Sequence, residues 1–506
     1  MPKNQLHVYS NKITTCKFDD LGENMPKYSV KNEKFDEDNF LNIRQEIVSK
    51  WPTLNEVDLQ EAVGYHKTIP SEKNLFALIR DTKKRGETII YPRGGVALVD
   101  DQIDLLLHLQ DHGGADYLPT TVDSYTRNEF FESAKKGIEQ SIQNKRSMLN
   151  GFPVVNHGVA SCRKIIEAIS VPAMLLPGTP SPCTPAEIAF AAGYTGLLGA
   201  GISDTLRFTK KMPLSEGIRN YQYVDRLVSY YGERGVGIHR EHTGFLTGTL
   251  IPPAIAISIS VLDCLLAANQ GVRQYSLGIG HNVNIVQDVA ALKTVPRMCA
   301  RYLHRFGVKD MALPVGLHHW MGAFPPNEAE AVSVICLATV IGLLGEVTHM
   351  TTKTSHEAIG VPSRESNAFG LRATKKMIKL LSNFSYPSDP RVDEEMYWIE
   401  REAESILDRV LEMGDGDPAV GAIRGFEAGI IDVPWSPNMC VANKVLPARD
   451  SSGAIRYLDT GNLPFSKEIK EFHLSKLKER AHNEQKEVDI DLAIQDVTDI
   501  AKSVIN

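Results

Sequence analysis

From Gly86 onward, short apolar runs alternate with segments of helical periodicity at intervals of about 25–40 residues. That rhythm builds βα units and a parallel sheet, and it leaves few architectures open. The runs at 88–91, 115–118, 148–152, 171–176, 197–202, 236–239, 275–279, 313–317 and 347–352 are the strand candidates. They are one more than a closed eight-stranded barrel needs, and the glycine-rich run 197–202 fits the pattern least. No G-x-G-x-x-G turn joins a first strand to a helix, so a (β/α)8 barrel fits better than an open doubly wound sheet.

The flanking regions read differently. Residues 1–50 are polar, rich in Lys and Asn, interrupted by Gly22 and Pro26, and show no sustained period, which predicts an N-terminal extension. Residues 51–385 are the predicted barrel, and 386–506 a helical and loop region packed on it. A long amphipathic helix is predicted after Arg391, with Val392, Met396, Ile399, Ala403, Ile406, Leu407, Val410 and Leu411 on one face. Residues 414–464, rich in Gly, Pro and Asp, are expected to be loops.

With 42% hydrophobic and 23% charged residues the composition is that of an ordinary globular protein, and a net charge of −7 gives no bulk attraction to nucleic acid or anionic lipid. The seven cysteines lack C-x-x-C spacing, against a disulfide framework or a structural zinc site. A reducing, cytoplasmic setting is therefore expected. The first residues are too polar for a signal peptide, and the apolar stretch 251–268 carries Pro252, Pro253 and Asp263, so it is expected to be buried rather than membrane-spanning.

Several strand candidates end on charge. Residues 88–92 run into Arg93-Gly94-Gly95, Asp116-Tyr-Leu-Pro-Thr leads to Arg127, residues 236–239 end on Arg240-Glu241, and 347–352 end on Lys353 with Glu357 four residues later. In a parallel barrel the strand ends open on one face, so these groups are expected to converge, and converging arginines predict an anionic ligand. Taken singly, Arg93 and Arg127 fit a surface ion pair equally well. His318-His319 invites a metal reading, but neighbours on a strand point to opposite faces and no carboxylate stands at ligand spacing, so no metal is assigned. Lys353 fits a Schiff-base lysine, an electrostatic partner for a ligand oxygen, or a structural lysine; local chemistry does not rank the three.

Taken in order, Pro92-Arg-Gly-Gly-Val-Ala-Leu, Gln110-Asp-His-Gly-Gly-Ala-Asp, Asp123-Ser-Tyr-Thr-Arg, Leu149-Asn-Gly-Phe-Pro, Leu246-Thr-Gly-Thr-Leu-Ile-Pro-Pro, His319-Trp-Met-Gly-Ala-Phe-Pro, Lys353-Thr-Ser-His-Glu-Ala-Ile-Gly and Arg456-Tyr-Leu-Asp-Thr-Gly-Asn-Leu-Pro-Phe resemble one family. It is the epsilon, or catalytic, subunit of glutamate mutase (methylaspartate mutase), and the resemblance runs from about Glu46 to about Ala481. It implies a (β/α)8 barrel that binds adenosylcobalamin (coenzyme B12) against a small flavodoxin-like partner. That partner carries an Asp-x-His-x-x-Gly motif, which is missing here, and a homodimer of this chain sits within a heterotetramer. The implied reaction is a radical isomerisation between glutamate and 3-methylaspartate.

Residue by residue, the resemblance implies cofactor contacts at Gly95, Asn150, Phe324, Lys353, Glu357 and Val361, with Lys353 and Glu357 at the adenosyl ribose and acting in catalysis. Arg93 and Arg127 match two of the family's three substrate arginines. The third falls on Leu176, its neighbouring histidine on Pro177, the glutamate that receives the substrate ammonium on Leu198, two pocket tyrosines on Asp204 and Phe208, and a cofactor-contacting proline on Arg207. Two outcomes are left open: Asp204 and Arg207 hold glutamate in a shifted pose, or the same chemistry acts on a different carboxylic acid. The reading from another class is a cobalamin-binding scaffold without catalysis.

Overall fold

The computed structural model describes residues 30–242, 244, 250–358, 362–384 and 388–504. Eight short strands form one sheet in the order β1-β8-β7-β6-β5-β4-β3-β2: β1 (Ile89–Tyr91), β2 (Leu118–Thr121), β3 (Ala173–Leu176), β4 (Gly196–Leu198), β5 (His239–His242), β6 (Tyr275–Gly280), β7 (Val315–His318) and β8 (His349–Thr351). Every pairing within it is parallel. Between β1 and β2 the wall is closed by single bonds: Asp116 N–H donates to Ile90 O at 3.0 Å, and Ile90 N–H to Asp116 Oδ2 at 2.8 Å. The expected (β/α)8 barrel is present.

Alternate residues point inward, as the two-residue period of a strand dictates. Ile89, Tyr91, Met174, Leu176 and Leu198 form one interior cluster with Tyr117, Leu75 and Ile79. The last two come from helix Leu75–Arg85, which lies across the amino-terminal end of the strands. Its Leu75 N–H donates to Thr195 Oγ1, Asn74 Nδ2 to Gly237 O and Lys83 Nζ to Leu313 O. That plug leaves the carboxyl ends as the mouth of the barrel interior.

Several expectations are corrected here. Residues 148–152 are the superfluous strand: the segment makes one bridge, Phe152 to Val122, because Gly151 rides against the backbone of Val122 and Asp123, where a Cβ would come within 2.6 Å. The run 197–202, which fitted least, supplies β4 and then turns into helix Gly201–Phe208. Runs 115–118 and 236–239 start ahead of the paired segments, β2 and β5, and overlap them by one residue, because the paired stretches carry Thr, His, Arg and Glu, residue types that read as surface.

Within the N-terminal extension, Glu37–Val48 forms a helix capped by Asp36, with Phe40 and Ile47 buried. Helix Pro390–Met413 is as expected, and it packs on helices Pro253–Gln270 and Ile285–Arg305. Helix Pro253–Gln270, the apolar stretch, is 94% buried, wrapped on all sides by protein. Residues 414–464 are not merely loops: they hold helix Pro418–Ala428 and an antiparallel hairpin of β9 (Val445–Arg449) and β10 (Ile455–Thr460). Arg456 anchors the hairpin through Asp450 (2.7 Å) and Glu395 on the long helix. Its place in a matched motif thus has a structural reason.

Candidate functional site

Strand ends bring the predicted groups together. A pocket at the carboxyl end of the barrel is lined by Tyr91 at the end of β1 and Arg93 after it, Arg127 after β2, Leu176 at the end of β3 and Gly178 after it, and Leu198 at the end of β4 with Asp204, Arg207 and Phe208 after it. His318 ends β7, Met321 follows it, and Thr351 closes β8. Arg240 does not converge with them, which corrects the expectation. It points out of the barrel, fully buried, with Nε on Asp225 at 2.6 Å and its other nitrogens on Leu197 O and Gly199 O.

Arg127 sits on the one-turn helix Ser124–Arg127, whose first N–H groups are accepted by Asp123. Its Nε donates to Val122 O at 2.8 Å, which aims the two terminal nitrogens into the pocket. Beneath it Gly178 has φ +60°, and a Cβ there would stand 3.0 Å from the guanidinium carbon. A side chain at 178 would be strained and would displace the guanidinium. Burial, and then the Arg93 charge, lower Arg127 to about 10, so it stays cationic at neutral pH. Arg93 is exposed and, like the terminal nitrogens of Arg127, forms no ion pair with a carboxylate among the described residues, although the Asp123 and Asp204 charges act on Arg127 from a distance.

Asp204 and Arg207 are placed by helix Gly201–Phe208, whose N-terminus is held by the buried Asp263: its carboxylate accepts from Ile202 N–H (2.9 Å) and Ser203 N–H (3.3 Å). Arg207 pairs with Asp204 Oδ1 and donates to Gly244 O at 3.0 Å, while Tyr221 Oη donates to Asp204 Oδ2 at 2.6 Å. The pair is almost wholly buried, the side chains 3% and 1% exposed. Tyr221 was missed from sequence; it lies on the apolar face of helix Leu214–Glu233, where a tyrosine looks like packing.

At the rim, Lys353 Nζ donates to Glu357 Oε2 at 2.7 Å. Burial and then the Arg93 charge lower the Lys353 ammonium, while Glu357 opposes both. Gly95 lies so close to Thr121 O that a Cβ would come within 2.3 Å, leaving bare backbone there. Asn150 is exposed, and its Oδ1 accepts from Ser124 N–H, bracing the turn that carries Arg127. Phe324 stands apart from the pocket lining, buried with Leu250, Trp320 and Ile455. Val361, and residues 246–249 of the 246–253 motif, lie outside the described residues.

Below the pocket floor, Thr351 donates to Tyr91 Oη and Tyr91 to Glu241 Oε1. His239, Glu241 and His349 bring possible metal-ligand atoms within 4.8 Å of one another. The carboxylate-to-imidazole distances of 3.9 and 3.7 Å exceed the roughly 3.4 Å edge of a tetrahedral zinc set. Burial keeps both imidazoles neutral and raises Glu241 to about 8, outweighing the Tyr91 and Tyr117 hydroxyls and the Arg240 charge, which act the other way.

A pH dependence follows. Glu241 binds its proton more tightly folded than at the ordinary 4.5, so its stabilising contribution is complete below about 4.5 and is lost as pH rises through about 8. Melting temperatures from pH 5 to 9 should fall less steeply for Glu241→Gln than for the parent. Parallel curves would contradict the assignment.

Fold and site together define a (β/α)8-barrel protein whose strand ends gather guanidinium groups around one pocket. Residues 69–506 match the model of the family described as Methylaspartate mutase E chain (MutE). The chain is 44% identical over 474 residues to a glutamate mutase epsilon subunit from Desulfitobacterium hafniense (strain Y51), covering 94% of this chain and 98% of that one. One from Treponema denticola is 44% identical over 475 residues, with the same coverage. One from Haloarcula marismortui is 40% identical over 470 residues, covering 93% and 95%. The chain belongs to the methylaspartate mutase E chain family.

Proposed function

We propose that this chain is the barrel subunit of an adenosylcobalamin-dependent carbon-skeleton mutase of glutamate mutase type, working with a small cobalamin-binding partner subunit. The observation that carries the reading is the pair Arg93 and Arg127, neither in an ion pair with a carboxylate among the described residues, in a pocket beside the Lys353–Glu357 pair. Family membership supplies the reaction class.

The residues present fit the cofactor. Lys353 can donate to, and Glu357 accept from, the hydroxyls of a ribose, while the bare backbone at Gly95 and the exposed Asn150 amide leave room on the neighbouring rim. When bound, adenosylcobalamin supplies the radical that starts the rearrangement. Arg93 and Arg127 hold a substrate carboxylate, the buried Leu176 and Leu198 keep water from its carbon skeleton, and the polar floor of Tyr91 and Thr351 limits how deep it sits. We also place the catalytic unit at 51–385, with 386–506 as its outer cover.

Equilibrium dialysis tests the partner: adenosylcobalamin should be held tightly only when a small subunit with Asp-x-His-x-x-Gly is added, and tight binding by this chain alone would contradict the reading. In the reconstituted complex, Lys353→Ala should lower turnover by about a hundredfold or more while changing corrin affinity by less than about threefold, because the ribose contact matters most as the adenosyl group moves. Equal losses in both would reduce Lys353 to an anchor.

A further inference from the structure

We infer that the acid taken by this pocket carries no amino group: an amino-free carboxylic acid, its carboxylate on Arg93 and Arg127 and its carbon skeleton against Leu176, Leu198 and Phe208. The inference rests on the substrate role proposed for that pocket and narrows it.

An ammonium needs an anionic or strongly accepting partner once water is removed. Among the described residues lining the pocket, Asp204 is the one acid. Its two oxygens are already engaged, Oδ1 by Arg207 and Oδ2 by Tyr221, and its charge is neutralised inside the protein. Turning it toward an ammonium would strip Arg207 of its counter-ion in a buried setting.

The other nearby acids are no better placed. Asp123 is fully buried and caps the turn bearing Arg127. Glu357 stands at the rim beside Lys353, outside the pocket lining. Glu241 lies beneath Tyr91, does not line the pocket, and is held largely protonated by burial.

What remains are neutral acceptors. The Tyr91 and Thr351 hydroxyls each already donate inward, and His318 is an uncharged imidazole whose Nδ1 donates to His319 O. Against these, with the Arg207 charge balanced by Asp204, stand two guanidinium groups, Arg93 and Arg127, lining one small space. Its field attracts a carboxylate and repels an ammonium. Where the wall is uncharged it is leucine and phenylalanine, which solvate carbon and leave a cation unpaired.

The test uses two pairs of probes that differ only in the amino group, glutarate with L-glutamate and pentanoate with L-2-aminopentanoate. Calorimetric titration into the full-length chain should show the amino-free member of each pair binding at least about tenfold tighter, and Arg127→Ala should abolish the binding of all. Leu198→Glu, which places a carboxylate in the wall, should narrow or reverse the preference; circular dichroism confirms that the variant is folded. Arg127-dependent binding that favours the amino acids would overturn this inference and leave the proposed function standing. Absence of Arg127-dependent binding for every probe would overturn both.

Discussion

Arg127→Ala should lower the affinity for the substrate carboxylate by two to three orders of magnitude, more than any other single change at the pocket. Removing one partner of a desolvated charge pair costs about 3–5 kcal/mol, and each 1.4 kcal/mol or so is a factor of ten. The cost should fall in that range because Arg127 is built for the task. Its Nε is used by Val122 O, its turn is capped by Asp123, and Gly178 clears the space beneath its guanidinium. Only the terminal nitrogens are left to act, and they face the pocket. In steady-state assays of the reconstituted complex KM should rise steeply. Arg127→Lys should recover part of the loss, since it keeps the charge but has neither the planar fork nor the Nε anchor. A change in KM below about tenfold for the alanine variant would remove Arg127 from the substrate site.

Legibility from sequence followed the physics of each element. The barrel was readable because buried parallel strands and their covering helices leave a repeated signature, and Lys353–Glu357 because a charge ending an apolar run is costly unless it is used. Segment 148–152 misled for the converse reason: Leu149 and Phe152 are buried, but in a turn that crosses the end of β2. β4 was nearly lost because its glycines, needed where Gly196 meets Leu75 and Gly199 meets Tyr221, look like a loop. Arg240 could not be sorted from Arg93 and Arg127 by type or spacing. Whether a strand-end arginine faces in or out depends on one residue of register. The state of Asp204 was equally hidden, since its partner Tyr221 comes from the next helix and leaves no local mark.

That outward-facing arginine should be the largest stability determinant near the site. Asp225→Ala should destabilise the fold by about 3–5 kcal/mol, because it leaves the Arg240 guanidinium uncompensated among Tyr221, Tyr275 and the backbone of β4. Burial alone would lower the arginine, yet the Asp225 charge and hydrogen bond together with Tyr275 and Tyr221 more than offset it, so the guanidinium stays charged and the pair acts as a unit. Replacing both members, Asp225→Ala with Arg240→Met, should cost less than the single change, since no charge is then stranded and a flexible apolar chain fills part of the space. Urea denaturation of the three variants at pH 7 measures this. The effect should reach the pocket as well: Arg240 clamps Leu197 O and Gly199 O, two residues ahead of the helix that carries Asp204 and Arg207. Substrate affinity should therefore fall in the single variant even below its unfolding midpoint. An Asp225→Ala protein as stable as the parent would mean that the pair contributes nothing to holding β4 against its helix.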